Sequence, residues 1–221
     1  MLTCLDGKEM TETVTSLAWP KLRDANEECD KMSGKKRDGF HSIVVKLLWI
    51  MKRARPDLET AIGFLCTLVD KSDRDDWNKL RRITTHVKNT IEDCRIIGAT
   101  DWTKIFTWTY AAHAVNPYMK SYTGGTMPMW IGVLHAKGNK QKLNVKSSTE
   151  AELVGNSEYL PHNLWLINFL HEQGYEIRYN VLYRDNQSTV RMLNNVRNSC
   201  TDNSRHIRIR HFFVKHRVDK K

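Results

Sequence analysis

The sequence predicts an α/β layer fold. Its mixed sheet is built from an antiparallel three-strand meander and a parallel fourth strand, with flanking helices and a small helical segment before it. Three observations predict this. Apolar residues recur at helical spacing from Phe40 onward, then give way after Asp101 to β-branched and aromatic runs such as Ile105-Phe106-Thr107-Trp108-Thr109-Tyr110. Three such runs follow one another through tight turns, as antiparallel neighbours do. A long helical stretch then leads to a fourth run, and a crossover of that kind sets its strand parallel in the same sheet.

Residues 1–38 are polar and close on Ser33-Gly34-Lys35-Lys36-Arg37-Asp38-Gly39, which reads as a poorly ordered linker with little core of its own. Residues 39–98 read as three short helices. The first carries Ile43, Leu47, Ile50 and Met51 and stops at Arg55-Pro56, because the residue before proline is pushed out of the α region. Asp57 is expected to cap the second, through Ile62, Leu65, Cys66 and Val69. Ser72 or Asp73 caps the third, through Trp77, Leu80, Ile83 and Val87. A turn at Gly98-Ala99-Thr100 opens the last segment, 99–221.

In that segment the first strand holds Ile105 to Tyr110, and Ser121-Tyr122-Thr123-Gly124-Gly125 reads as a turn. Met127 to Leu134 reads as the second strand, with Pro128 marking an edge or bulge. A turn at Gly138-Asn139-Lys140 precedes a third strand, Lys142 to Lys146. Ser147-Ser148-Thr149 caps a helix through Leu153, Leu160, Leu164 and Phe169, with a kink expected at Pro161 and an end at Gly174. Asn180 to Tyr183 is the fourth strand, and a helix follows through Val190 and Leu193. The stretch His206 to Val218 fits both an alternating and a helical pattern.

The chain has 35 Lys+Arg against 25 Asp+Glu, a net charge of +10, which favours polyanionic partners. Arg205, Arg208, Arg210, Lys215 and Arg217 concentrate that excess near the end of the chain, as a solvated helical face or as a surface that tracks phosphates. Asp6, Lys8, Glu9 and Glu12 interrupt any apolar leader, and the run Leu47 to Met51 is far too short to span a bilayer. These features predict an intracellular protein, cytoplasmic or nuclear, without a membrane partner. Five cysteines without a C-x-x-C pair match no common zinc pattern and read as free thiols of a reducing compartment.

Two short motifs carry candidate chemistry. Glu150 and Glu152 fall in the first turn of a helix, where acids also serve as ordinary capping residues. Asp185 follows the fourth strand at its carboxyl end, where open α/β sheets bind ligands and where an N-cap is the alternative. Together, Glu152 and Asp185 are candidates to converge on Mg²⁺, a hard ion that takes carboxylate, water and phosphate oxygens.

A longer series of motifs runs in order along the chain. It begins with Lys46-Leu47-Leu48-Trp49, Lys52-Arg53-Ala54-Arg55-Pro56-Asp57 and Asp75-Asp76-Trp77. It continues with Ser121-Tyr122-Thr123-Gly124-Gly125, Lys140-Gln141-Lys142-Leu143-Asn144 and Ser147-Ser148-Thr149-Glu150-Ala151-Glu152-Leu153. It closes with Tyr183-Arg184-Asp185-Asn186-Gln187-Ser188 and Arg205-His206-Ile207-Arg208-Ile209-Arg210. With these, Phe40 to Asp219 resembles the end of the reverse transcriptase and most of the ribonuclease H domain of copia-type retrotransposon polyproteins.

The resemblance implies a ribonuclease H-like fold, with 39–98 as the helical end of the reverse transcriptase and 99–221 as the ribonuclease H-like domain, truncated before its fifth strand. It implies a four-carboxylate Mg²⁺ site that hydrolyses RNA in RNA–DNA hybrids, with Glu152 and Asp185 at two of the four positions. The first-strand aspartate belongs in a W-V-D-A-S-Y-A-V-like motif, and Tyr110 occupies its place in Trp108-Thr109-Tyr110-Ala111-Ala112. The fourth acid lies in a segment beyond Lys221. Arg208 and His216 replace residues that are commonly acidic or amide in the family, and Tyr122 replaces a histidine. A neutral phenol cannot bridge two metal ions, so this copy is expected to be inactive. The alternatives are a nucleic-acid-binding module that uses the basic stretch and a relic without a selected role.

Overall fold

A computed structural model of the chain describes residues 4–5, 8–9, 12–17, 19–24, 29–129, 131–194 and 205–219. The chain divides into two compact units, Met1–Arg95 and Ile96–Lys221.

The first unit opens with a small antiparallel pair, β1 (Cys4–Leu5) and β2 (Lys8–Glu9), followed by a 3₁₀ turn at Pro20–Arg23. Three helices follow: α1 (Gly34–Arg53), α2 (Glu59–Cys66) and α3 (Arg74–Asn89). The stretch that reads as a linker, Ser33 to Gly39, is instead the start of α1. Its Lys35, Lys36 and Arg37 are good helix formers, and buried Phe40 anchors the turn they build. Phe40, Val44, Leu47 and Met51 repeat at spacings of three and four, and they meet Leu58, Ile62, Leu65, Leu80, Ile83 and Val87 in one core. Asp73 caps α3 in a reciprocal box with Asp76, as expected.

Asp57 does not cap α2. It lies in a 3₁₀ turn, Pro56–Leu58, and is drawn to buried Arg55, which donates from Nε to Oδ1 at 2.9 Å and from Nη2 to Oδ2 at 2.8 Å. The same guanidinium donates to the Thr90 carbonyl and hydroxyl, both at 2.8 Å, so it ties this turn to the end of α3. Burial acts to raise the Asp57 pKa, but the Arg55 hydrogen bonds and charge, with the bond to His86, hold it below its ordinary value. Such a depressed carboxyl stabilises the fold above its unfolded-state pKa, and that contribution fades as pH falls through its folded value.

The second unit contains β3 (Lys104–Asn116), β4 (Lys120–Pro128), β5 (Val133–Lys140), α4 (Ser148–Glu172), β6 (Tyr179–Tyr183), α5 (Gln187–Asn194) and α6 (Arg205–Asp219). The sheet order is β5-β4-β3-β6, antiparallel in its first two pairings and parallel between β3 and β6. This is the predicted meander with a parallel fourth strand, and with its flanking helices it has a ribonuclease H-like fold. Among the described residues no helix is long and apolar enough to cross a membrane. Cys29, Cys66 and Cys94 are free thiols; Cys4 and Cys200 fall outside the residues whose side chains are described.

The second and third strands need correction: Met127 to Leu134 holds the end of β4, at Pro128, and the start of β5, at Val133. Ser121 to Gly125 lies inside β4 and Gly138 to Lys140 inside β5, while Lys142 to Lys146 is not a strand. The turn before β4 is Pro117–Met119, where Tyr118 and Met119 take positive φ of 60° and 55° without a glycine to announce it. Gly125 serves another purpose: a Cβ there would collide with the Tyr159 ring of α4, so glycine lets the helix settle on the sheet. Leu143 and Val145 alternate because they pack a coil segment against a core with Ala151, Leu153 and Val154.

Helix α4 remains helical through Pro161 and seats on the sheet along a polar seam. Thr109 bonds Asn156, and Asn163 donates to Thr107 at 2.9 Å and to Asn180 at 2.8 Å. Gln141 donates to the Ala151 carbonyl at 2.8 Å. The stretch 205–219 is helical, and Ile207, His211 and Val214 are its buried face.

Two outcomes follow for stability. Arg55→Ala should cost about 2 kcal/mol, toward the low end for one partner of a buried pair because Asp57 is half exposed. In urea titrations the deficit should narrow as pH drops through the carboxylate range; an unchanged deficit would show that the Asp57 charge is not the partner that matters. Gly125→Ala should destabilise by about 2–3 kcal/mol, because overpacking forces α4 off its seat. Thermal melts of the full chain measure this, and a neutral effect would contradict the close approach.

Candidate functional site at the ends of β3 and β6

The candidate acids are placed by elements whose caps are made by other residues. At the start of α4, Ser147 accepts from the Glu150 backbone at 3.2 Å, and Glu150 accepts from the Lys146 backbone at 2.7 Å. At the start of α5, Asn186 accepts from the Thr189 backbone at 3.0 Å. Capping therefore accounts for Ser147, Glu150 and Asn186, and it accounts for neither Glu152 nor Asp185.

Glu152 is buried, at 3% exposure, and reaches from α4 to β3, where its Oε1 accepts from the Ala111 backbone at 2.6 Å. That bond sets the carboxylate beside the backbone of Tyr110. Its other oxygen, Oε2, is buried without a hydrogen-bond partner. In the parallel pairing Trp108 is level with Tyr183, so Tyr110 and Asp185 stand two residues beyond the same rung. The three positions Tyr110, Glu152 and Asp185 thus gather just beyond the last β3–β6 rung, midway along β3 and past the carboxyl end of β6. Asp185 is exposed, and the Tyr110 side chain lies on the sheet face away from α4, 55% exposed.

Burial pushes the Glu152 carboxyl up to about 7; the Ala111 hydrogen bond opposes that shift, the Asp185 charge adds to it, and the Arg184 charge opposes it. Burial likewise brings the Arg184 guanidinium down to about 10, against the pull of Glu152. Arg184 is a residue beside Glu152 that sequence reasoning missed. The signal was available in strand alternation, which turns Leu182 and Arg184 toward α4 once Tyr183 faces away.

The donor set is small. Among the described residues, the group of three potential ligand side chains within 4.8 Å of one another is Asp73, Asp75 and Asp76, far along the chain in the α3 cap. Lys79 neutralises that group at 2.9 Å from Asp75 and 3.3 Å from Asp76. Among the described residues, no such group of three includes Glu152 or Asp185. Two Mg²⁺ ions require more anionic oxygens than these side chains offer, so the residues present do not fit a two-ion centre.

The five basic residues of the terminal stretch have separate surroundings. Arg210 lies 3.8 Å from Glu158 of α4, and Lys215 donates to the Leu193 carbonyl at the end of α5 at 3.0 Å. Arg208 is partly buried and Arg217 is exposed, while the Arg205 side chain falls outside the described residues.

The chain is similar to the Retrovirus-related Pol polyprotein from transposon TNT 1-94 of Nicotiana tabacum, with 27% identity over 181 residues. The alignment covers 81% of this chain and 13% of that protein, so the chain spans about one eighth of its relative's length. No family model matches the chain. No solved structure matches it either. The similarity supports a protein derived from a retrotransposon Pol polyprotein.

A buried acid titrating near 7 has a stability signature. Relative to its usual 4.5, the raised folded pKa means the folded state holds the proton longer, so stability falls as pH rises from about 4.5 to about 7, by up to ~3 kcal/mol. Glu152→Gln keeps the acceptor for Ala111 and removes the charge. It should stabilise the protein by about 1–2 kcal/mol at pH 8, the rest being offset by a buried amide NH₂ beside Arg184. The gain should vanish near pH 5. Melting curves at the two pH values decide this, and a destabilised variant at pH 8 would refute it.

Proposed function

We propose that residues 96–221 are a ribonuclease H-like module of retrotransposon Pol origin that has lost hydrolysis and still binds nucleic acid. The observation that carries this reading is the make-up of the point where β3, β6 and α4 meet. It has no carboxylate from position 110, where the Tyr110 ring takes the other face, and it holds a Glu152 carboxyl that keeps its proton up to about pH 7 with the cation of Arg184 close enough to act on it. A divalent ion there would meet a guanidinium already supplying positive charge, and few anionic oxygens to repay its dehydration. Mg²⁺ binding is accordingly weak on this reading, and RNA–DNA hybrids are ligands without being substrates.

Binding is supported by charge. Residues 96–221 carry 17 Lys and Arg against 9 Asp and Glu, so nearly all of the protein's positive excess belongs to this unit. Arg217 is exposed on α6 and Arg208 partly so, and these supply the part of the basic stretch that reaches solvent.

The test has two arms. The full chain, incubated with a labelled RNA–DNA hybrid and Mg²⁺ or Mn²⁺, should release no product above the Glu152→Gln background. Turnover that disappears in both Glu152→Gln and Asp185→Asn would make it an active enzyme. In titrations the hybrid should bind in the micromolar range or weaker, with affinity falling steeply with salt and further in an Arg208→Asp, Arg217→Ala double variant. Salt-independent affinity would remove the basic surface from the reading.

A further inference from the structure

The face of the sheet turned away from α4 carries an exposed row of aromatic rings, and we infer that this row is a stacking platform for single-stranded nucleic acid. The inference deepens the nucleic-acid-binding reading above by naming the strand state and the surface, which is separate from the basic helix α6.

Strand alternation builds the row. On β3, Thr107, Thr109 and Ala111 are buried, while Phe106, Trp108 and Tyr110 take the opposite face. The parallel register puts Val181 level with Phe106 and Tyr183 level with Trp108 on that face. Trp108 and Tyr183 stack with centroids 4.8 Å apart and planes 17° from parallel, and Phe106 joins them at 6.0 Å from Tyr183. Because that spacing matches the distance between neighbouring strands, the two rings stand upright from the sheet and face each other. Their exposures are 43% each, against 55% for Tyr110 at the end of the row.

The neighbouring strand leaves room beside the row. Gly124 is level with Tyr110 and Thr126 with Trp108, and a Cβ added at Gly124 would meet nothing within 4 Å. Beyond it, the Tyr122 ring lies over Gly138 and closes the β5 side. A shallow floor beside upright rings suits a planar base, which stacks through its π face whatever its identity. A duplex keeps its bases stacked on each other and offers none to such a surface.

Charge selects the polyanion among occupants. The acids next to the row are mostly neutralised: Asp101 is 3.0 Å from Lys104, and Glu176 is 3.3 Å from Arg178. Lys104 also sits 5.6 Å above the Tyr179 ring on the same face. Asp185, two residues beyond Tyr183, is exposed and is set against the unit's excess of eight positive charges. Tyr110 contributes a ring here and no charge, where an aspartate would repel a phosphate chain.

The experiment is a fluorescence-anisotropy titration of the full chain with a labelled oligothymidylate of about 20 nucleotides, beside the RNA–DNA hybrid. The oligothymidylate should bind, and Tyr183→Ser and Tyr110→Ser should each weaken it about tenfold while the hybrid is little affected. Trp108→Ala should weaken it at least as much; should that variant lose its circular-dichroism spectrum, the two exposed tyrosines carry the test. Unchanged oligothymidylate affinity in the tyrosine variants overturns the platform. Binding of the hybrid alone overturns the platform and leaves the proposed function standing, whereas binding of neither overturns both. Self-association that Tyr183→Ser abolishes would assign the face to a second copy of the chain, and this inference would fall.

Discussion

The seating of α4 on the sheet is the constraint on which the second unit depends. Its interface is not a simple apolar stripe. Asn156, Asn163 and Gln141 hydrogen-bond across it to Thr109, Thr107, Asn180 and the Ala151 carbonyl, and Gly125 clears the space that the Tyr159 ring fills. Directional bonds in a buried seam leave little freedom for the helix to rotate or slide, since a shift would strand several polar groups at once. Glu152 lies at one end of this seam and inherits its rigidity. The raised pKa is therefore a property of the docking as much as of the residue: the seam holds the carboxyl where water does not reach its second oxygen.

Arg184 modifies that environment through charge. A buried carboxylate facing Asp185 alone would be disfavoured by both burial and repulsion, and the guanidinium offsets part of the penalty. The compensation is mutual, because burial weakens the Arg184 cation and the Glu152 charge strengthens it. A metal ion would have to enter against this internal pair. The guanidinium thus offsets part of the cost of a carboxylate at this place without removing it, since burial still holds the Glu152 carboxyl up at about 7.

Much of the fold was legible in the sequence because it rests on periodicity. The alternation through Ile105 to Tyr110, the Ser147 cap and the crossover to Tyr179–Tyr183 each leave a local pattern, and the parallel pairing follows from the crossover. The second and third strands were misplaced because the chain turns at Tyr118 and Met119 without glycine and uses glycine inside β4 and β5. Local turn statistics read Gly124-Gly125 as a bend; the Tyr159 ring, far along the chain, is what Gly125 answers to. The start of α1 was hidden for a related reason, since a charged run looks like linker until Phe40 is known to be buried. The candidate site was legible as residue types at strand and helix ends. The influence of Arg184 depends on which way a single strand residue faces, and motif reading passes over it.

The two faces of the sheet make different demands of the same strand, and β3 shows how they are reconciled. Its odd-numbered residues Thr107, Thr109 and Ala111 are small or hydrogen-bonding because α4 lies close above them. On the opposite face stand Phe106, Trp108 and Tyr110, among the largest side chains available. Burial alone would not place such rings on an exposed face, where Phe106 and Trp108 gain from stacking with Tyr183. Tyr110 belongs to this row by its ring and to the end-of-strand site by its backbone, which adjoins the Glu152 hydrogen bond. A phenol at that position extends the exposed row, while the peptide N–H that follows it donates to Glu152 on the other side. One residue thus links the Glu152 hydrogen bond on one side of β3 to the aromatic surface on the other.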